Sequence, residues 1–145
     1  MPIERLIQFS MHADDSGSLC AYESGDMVPF DIKRIFTVAA KENEVRGNHA
    51  HKICSQLLVC VSGKIEVVCD NGTDESVYQL DNMGQGLLIP PGIWASEKYI
   101  SAGSVLMVLC DRGYESDDYI QDYEDFKRLH YKILVILNIK TCRNF

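Results

Sequence analysis

The chain has 145 residues, 46% hydrophobic and 24% charged, with only 4 Pro and 10 Gly; it can fill one packed domain and is neither disordered nor collagen-like. Lys and Arg number 14 against 21 Asp and Glu, a net charge of −7, which argues against duplex nucleic acid and anionic lipid as partners. The six cysteines, Cys20, Cys54, Cys60, Cys69, Cys110 and Cys142, form no Cys-x-x-Cys pair and sit mostly in apolar runs, as reduced buried thiols do.

In chain order, Met1-Pro2-Ile3-Glu4-Arg5 lacks the apolar core of a signal peptide, and no apolar run approaches the roughly eighteen residues of a membrane span, so the expected location is the cytoplasm. Leu6, Phe9, Leu19 and Tyr22 suit a strand lying on the domain or on a partner, with Ser16-Gly17-Ser18 as a turn. From Ile32 to Leu109 short β-branched and aliphatic runs recur about every ten residues, the pattern of a meander or jelly roll. They are Arg34–Val38, His49–His51, Gln56–Val61, Lys64–Cys69, Ser76–Leu80, Gly86–Ile89 and Ser104–Leu109. Ser62-Gly63-Lys64 and Asp70-Asn71-Gly72 mark turns, the second a tight Asn-Gly hairpin.

Leu57–Val61 and Val105–Leu109 are apolar at successive positions, so both of their faces should be covered, as in a two-sheet sandwich. After them, acidic residues early and basic ones late predict a short helix over about 118–130. The closing run Ile133–Ile139 is too short to span a membrane and is expected to pack on the domain or at a dimer contact.

Chemistry concentrates in Arg46-Gly47-Asn48-His49-Ala50-His51-Lys52-Ile53-Cys54-Ser55-Gln56, with Gly63 beyond. Side chains two apart on a strand share a face, so His49 and His51 project into one space. The spacing resembles the first cupin motif, G-x5-H-x-H-x(3,4)-E-x6-G, with Gln56 in place of Glu. Gly84–Ala95 resembles the second, G-x5-P-x-G-x2-H, with Ala95 in place of His. Two neutral imidazoles without the carboxylate or the third histidine make a weak site for a divalent ion, so no metal is expected and the pair is free for acid-base work. The structural alternative is that both histidines merely hydrogen-bond inside a barrel.

A narrower resemblance covers about residues 5–130. Pro29-Phe30-Asp31-Ile32-Lys33-Arg34, Arg46–Lys52, Gly86–Pro91 with Trp94, and Asp118–Phe126 together resemble the dTDP-4-keto-6-deoxyglucose 3,4-ketoisomerases, small metal-free cupins of the WxcM-like group. The resemblance implies an all-β cupin jelly roll, or double-stranded β-helix, as a single domain over 1–145. It also implies a homodimer that exchanges N-terminal strands, no cofactor, and a place in making deoxyamino sugars for surface polysaccharides such as O-antigen or S-layer glycan. His51 then stands at the position of the proton-transferring base and His49 at that of its support.

The residues suit that chemistry. The C3 proton of a 4-keto sugar is acidified by the neighbouring carbonyl, and an imidazole removes it at cellular pH to leave an enediol. Arg46 is the first candidate for the diphosphate, with a structural salt bridge as its alternative, and Lys33, Arg34 and Lys52 stand in reserve.

The chain also departs from the family. Thr37 replaces an aromatic, removing a tyrosine that would assist the base, and Ser16 and Ala95 replace larger polar residues, which implies a roomier pocket. Trp94 is read as core or pocket wall, Tyr119 and Tyr123 as helix packing residues, and Gln56 either meets the substrate or a histidine or is satisfied internally. Two other readings stay open: an epimerase acting beside the ketone, and a cupin that binds a nucleotide sugar without turning it over.

Overall fold

The computed structural model describes residues 3–142, so Met1, Pro2 and the last three residues of the expected single domain lie outside the described residues. Twelve strands and two helical segments follow in order. The strands are β1 (Arg5–Gln8), β2 (Met11–Asp14), β3 (Gly17–Cys20), β4 (Arg34–Ala39), β5 (Val45–His51), β6 (Gln56–Ser62), β7 (Ile65–Asp70), β8 (Glu75–Leu80), β9 (Gln85–Ile89), β10 (Trp94–Tyr99), β11 (Val105–Cys110) and β12 (Tyr119–Ile120). A 3₁₀ turn, Ser116–Asp118, precedes β12, and helix α1, Tyr123–Cys142, follows it.

Two five-stranded antiparallel sheets, ordered β1-β9-β6-β11-β4 and β12-β5-β10-β7-β8, face each other as a jelly roll, and β2 and β3 form a separate hairpin. Strand alternation builds the core. Leu58 and Cys60 of β6, Leu106 and Val108 of β11, Ile65 and Val67 of β7, and Ala95 and Tyr99 of β10 meet between the sheets. The opposite face of the first sheet, through Ile7, Leu57, Val59 and Leu109, is covered by Phe9, Val28, Tyr22 and Phe30. That cover explains why the β6 and β11 runs are apolar at successive positions, since each strand is buried on both sides.

The structure differs from the expected elements at four places. The hairpin turn is Asp15–Ser16, with the Asp14 carboxylate accepting the backbone N–H of Ser16 and of Gly17. The β7–β8 connection has four residues, 71–74, organised by the Asn71 side chain, and only Gly72 takes a positive φ.

The third difference is the helix, expected over 118–130 and found at 123–142. Asp122 caps it, accepting the N–H of Asp125. Phe126 anchors it on Ala50 and Ile120, with Trp94 packed alongside. Last, the run expected to pack on the domain or at a dimer contact continues α1 outward and does not fold back on this domain, leaving Ile133, Val135, Ile136, Leu137 and Ile139 exposed within the single chain. No helix among the described residues is long and apolar enough to cross a membrane.

Candidate active site

The site starts from an irregularity in β5. Its register with β10 pairs Arg46 with Glu97, Gly47 with Ser96, His49 with Ala95 and Ala50 with Trp94, leaving Asn48 as the extra residue of a β-bulge. Gly47 (φ 80°) and Asn48 (φ 57°) take the left-handed conformations that Gly and Asn tolerate best. The bulge changes which side chains share a face. On an unbroken strand, residues 46 and 49 would point apart; here Arg46 joins His49 on the wall of one cavity. Gly47 also yields space, because a Cβ there would collide with the Glu97 carboxylate.

The cavity lies between the sheets and encloses about 170 Å³. Arg34, Phe36 and Val38 of β4, Gln56 of β6, and Leu106 and Val108 of β11 form one side. Arg46, His49, Glu97, Tyr99 and Tyr119 form the other. That volume is below the roughly 300 Å³ at which pockets begin to enclose drug-sized ligands, so it holds a ring and its substituents, with any larger ligand extending outside.

Beside His49, with ring centroids 5.0 Å apart, lies His51, 7% exposed. Its Nδ1 is 2.7 Å from Oδ2 of Asp118, whose Oδ1 accepts the Ile53 N–H at 2.7 Å. Burial pushes the Asp118 pKa up, but the hydrogen bonds from His51 and from the Ile53 and Cys54 backbone outweigh it and hold the carboxyl below its ordinary value. An ionised carboxylate only accepts, so the proton of the neutral imidazole sits on Nδ1 and Nε2 carries a free lone pair. Nε2 is buried and has no partner among the described residues. Tyr119 on β12 pairs with His51 in the strand register and lies against both imidazoles, at 4.5 and 5.0 Å between centroids.

Two further groups shape the field. Burial holds the His49 pKa below the usual histidine value, His51 adds to that, and the Gly47 backbone opposes it. Burial pushes the Glu97 carboxyl up to about 7, against the pull of the Arg46 guanidinium. Arg34 lies over the Phe36 ring at 4.5 Å and the Tyr114 ring at 5.3 Å. Among the described residues neither Arg34 nor Arg46 has a carboxylate within ion-pair distance, so both guanidinium groups are available to an anion.

His51, Cys54 and Asp118 bring possible ligand atoms within 4.8 Å of one another. They fit a metal poorly. His51 and Asp118 are already bonded to each other, and a hydrogen bond with Cys110, then burial, pushes the Cys54 thiol up and away from the thiolate a metal needs.

The expected site residues divide. Arg34, Arg46, His49 and Gln56 line the cavity, His51 backs it, and Ala95 is buried on the inner face opposite His49. Gln56 also donates from Nε2 to Cys110 Sγ at 3.7 Å.

Four residues lie elsewhere. Lys33 and Thr37 alternate out of phase with Arg34 and Phe36 and are exposed. Trp94 packs on the outside of the second sheet against Tyr123 and Phe126. Ser16 sits in the exposed hairpin turn, away from the cavity within this chain. Tyr119 is a strand residue of the site, whereas Tyr123 does pack on the helix, beside Trp94. Asp118, Glu97 and Tyr99 join the site although no local motif marks a role for them in it.

A jelly roll whose His-x-His strand opens on an inter-sheet cavity, with one histidine held by a buried aspartate, is a cupin equipped for proton transfer. Residues 3–131 match the family described as FdtA: WxcM-like, C-terminal. The chain is 38% identical to the TDP-4-oxo-6-deoxy-alpha-D-glucose-3,4-oxoisomerase of Aneurinibacillus thermoaerophilus, covering 89% of this chain and 94% of that one. Among solved structures it is similar to QdtA, a sugar 3,4-ketoisomerase from Thermoanaerobacterium thermosaccharolyticum in complex with TDP. There the TM-score is 0.85 at 32% identity, over 89% of this chain and 95% of that one. It is similar too to a 3,4-ketoisomerase from Helicobacter canadensis, with TM-score 0.86 at 32% identity over 90% and 99%. The chain belongs to this family, the WxcM-like sugar 3,4-ketoisomerases.

Proposed function

We propose that this protein is an isomerase that moves the ketone of a TDP-linked 4-keto-6-deoxyhexose from C4 to C3. The observation that carries the proposal is the His51–Asp118 pair, with Nε2 unpartnered beside His49 and the cavity. Relatives with about a third of their residues in common are named for this reaction, and a mutant QdtA has been crystallised with TDP-4-keto-6-deoxyglucose.

The chemistry follows from the geometry. The hexose ring occupies the cavity, and the nucleotide lies outside it with the diphosphate against Arg46 and Arg34, whose guanidinium groups grip phosphate oxygens. His51 Nε2 takes the C3 proton, Asp118 stabilises the resulting imidazolium, and the same nitrogen returns a proton to C4. His49, held neutral by its burial, positions the sugar without adding a second positive charge beside the base. No electrons leave the substrate, so neither a metal nor a redox cofactor is required.

The same reading places the enzyme in the cytoplasm, in a route to deoxyamino sugars for surface polysaccharide, as one cupin domain that dimerises by exchanging its N-terminal strands. Among the described residues the hairpin β2–β3 pairs only with itself, and Leu19 on it is 60% exposed, which suits burial on a second copy. Product NMR after incubation with dTDP-4-keto-6-deoxyglucose tests the activity. A 3-keto product is expected; an epimerised 4-keto sugar, or bound but unchanged substrate, would replace this reading with one of its two rivals.

A further inference from the structure

Moving a ketone between adjacent carbons requires two proton transfers at carbon and two at oxygen. The carbonyl oxygen on C4 must gain a proton, and the hydroxyl on C3 must lose one. The His51–Asp118 pair accounts for the carbon protons only, and one nitrogen cannot serve all four positions at once.

Glu97 lies on the inner face of β10, 9% exposed, and its carboxylate rests over Gly47 on the cavity wall shared with Arg46 and His49. Val67 is its cross-strand neighbour on the β7 side and Arg46 on the β5 side. Among the described residues no carboxylate of Glu97 forms an ion pair within 4.0 Å, although Arg46 stands opposite. We propose that Glu97 is a further catalytic residue of the ketoisomerase, the acid-base group that carries the proton between the two substrate oxygens.

The proposal rests on the ketoisomerase reading and completes its proton inventory. As His51 Nε2 takes the proton from C3, the C3–H electron pair forms the C3–C4 double bond, and the C4 carbonyl oxygen takes the proton of the Glu97 carboxyl. That gives an enediol and a carboxylate. In the second half, Glu97 takes the proton from the C3 hydroxyl, the C3 carbonyl forms, and C4 takes its proton from the His51 imidazolium. Glu97 ends protonated as it began, and no electron is lost or gained. A carboxyl group has two oxygens on one carbon and reaches neighbouring substrate oxygens without moving, whereas Tyr99 and Tyr119 on the same wall each offer a single hydroxyl, and burial holds that of Tyr99 away from ionisation.

The environment suits a carboxyl that is protonated at the start and ionised midway. Burial against Val67 and the core favours the neutral acid, and Arg46 limits that shift, so the group titrates near neutral pH, where an acid that must also act as a base works best. The charged and titratable groups around it are Arg46 and His49 from β5, Tyr99 on β10 itself, Cys69 from β7, Arg34 from β4 and Tyr119 from β12. An anionic diphosphate drawn to Arg46 withdraws part of that pull and keeps Glu97 protonated for the first transfer.

The test compares wild type with Glu97→Gln and Glu97→Asp on dTDP-4-keto-6-deoxyglucose across pH. Wild-type kcat should fall as pH rises through about 7 and Glu97 loses its proton. Glu97→Gln should lower kcat by about 10²-fold or more, leave KM within a few fold and remove the falling limb. Glu97→Asp should restore part of the rate and the falling limb. Tm measured alongside separates folding from chemistry. A Glu97→Gln enzyme with wild-type kcat and an intact falling limb overturns the role of Glu97 alone. A wild-type protein that binds the sugar without converting it overturns the ketoisomerase reading, and this role with it.

Discussion

His51 is a base because of a residue 67 positions away. Asp118 fixes the proton on Nδ1, so Asp118→Asn offers the imidazole an amide that stabilises neither that tautomer nor the imidazolium. Asp118→Asn is therefore expected to lower kcat by about 10²-fold or more with little change in KM, read from steady-state kinetics. Arg46→Ala removes a guanidinium that, among the described residues, has no carboxylate within ion-pair distance, so its loss should fall mainly on the ligand. Calorimetry with TDP should show binding weaker by about 2–3 kcal/mol at unchanged Tm, the scale of one charge-assisted contact; unchanged affinity would return Arg46 to a structural role. At this scale the sequence revealed the residues that lie close together in the chain. The His49/His51 pair and Arg46 stand within six residues, whereas Asp118 reaches His51 only after the second sheet has formed and β12 has paired with β5.

Among the elements, β5 shows how much one extra residue decides. Period-two alternation predicts correctly that His49 and His51 share a face, but it sends Arg46 to the other one; the Gly47–Asn48 bulge reverses that. Gly47→Ala puts a Cβ on a positive-φ residue and into the Glu97 carboxylate, so thermal melting should show a loss of roughly 1–3 kcal/mol together with weakened turnover. Asn48→Ala lacks the collision and should cost less.

Strand β10 escaped the sequence reading for a related reason. Ala95, Glu97 and Tyr99 point inward, and a charged residue on the inner face breaks the apolar alternation by which strands are recognised. The break marks the site, since local patterning fails where function needs a buried carboxyl. The helix starts later than the acid-to-base order of the sequence suggests because Tyr119 and Ile120 pair with β5 as β12, so the helix begins only after Asp122.

Across the whole molecule, the two-sheet architecture was legible because its strands alternate or are doubly buried. The direction of α1 beyond Tyr131 was not, since apolar composition alone does not say what an exposed helix face meets. The buried carboxyls also give the fold a pH signature. Glu97 has a folded pKa near 7 against an ordinary 4.5, so the native state binds the extra proton and stability falls as pH rises through that window. Asp118 has a lowered pKa, so its contribution is present above the ordinary 3.8 and is lost as pH falls through the folded value. Glu97→Gln should therefore melt above wild type at about pH 8, with the gap closing near pH 5. Equal melting curves at both pH values would show that Glu97 is not held protonated by the fold.

If His51 moves a proton from C3 to C4 of a 4-keto sugar, deuterium from the solvent must appear at C4. Wild-type protein in deuterium oxide with dTDP-4-keto-6-deoxyglucose should give a 3-keto product carrying deuterium at C4, diluted by whatever fraction of the original proton the imidazole retains. His51→Asn should bind the sugar with similar affinity and form that product at least roughly 10²–10⁴-fold more slowly. A His51→Asn variant that labels C4 at the wild-type rate, or a wild-type protein that binds the sugar and gives neither exchange nor product, would contradict the account.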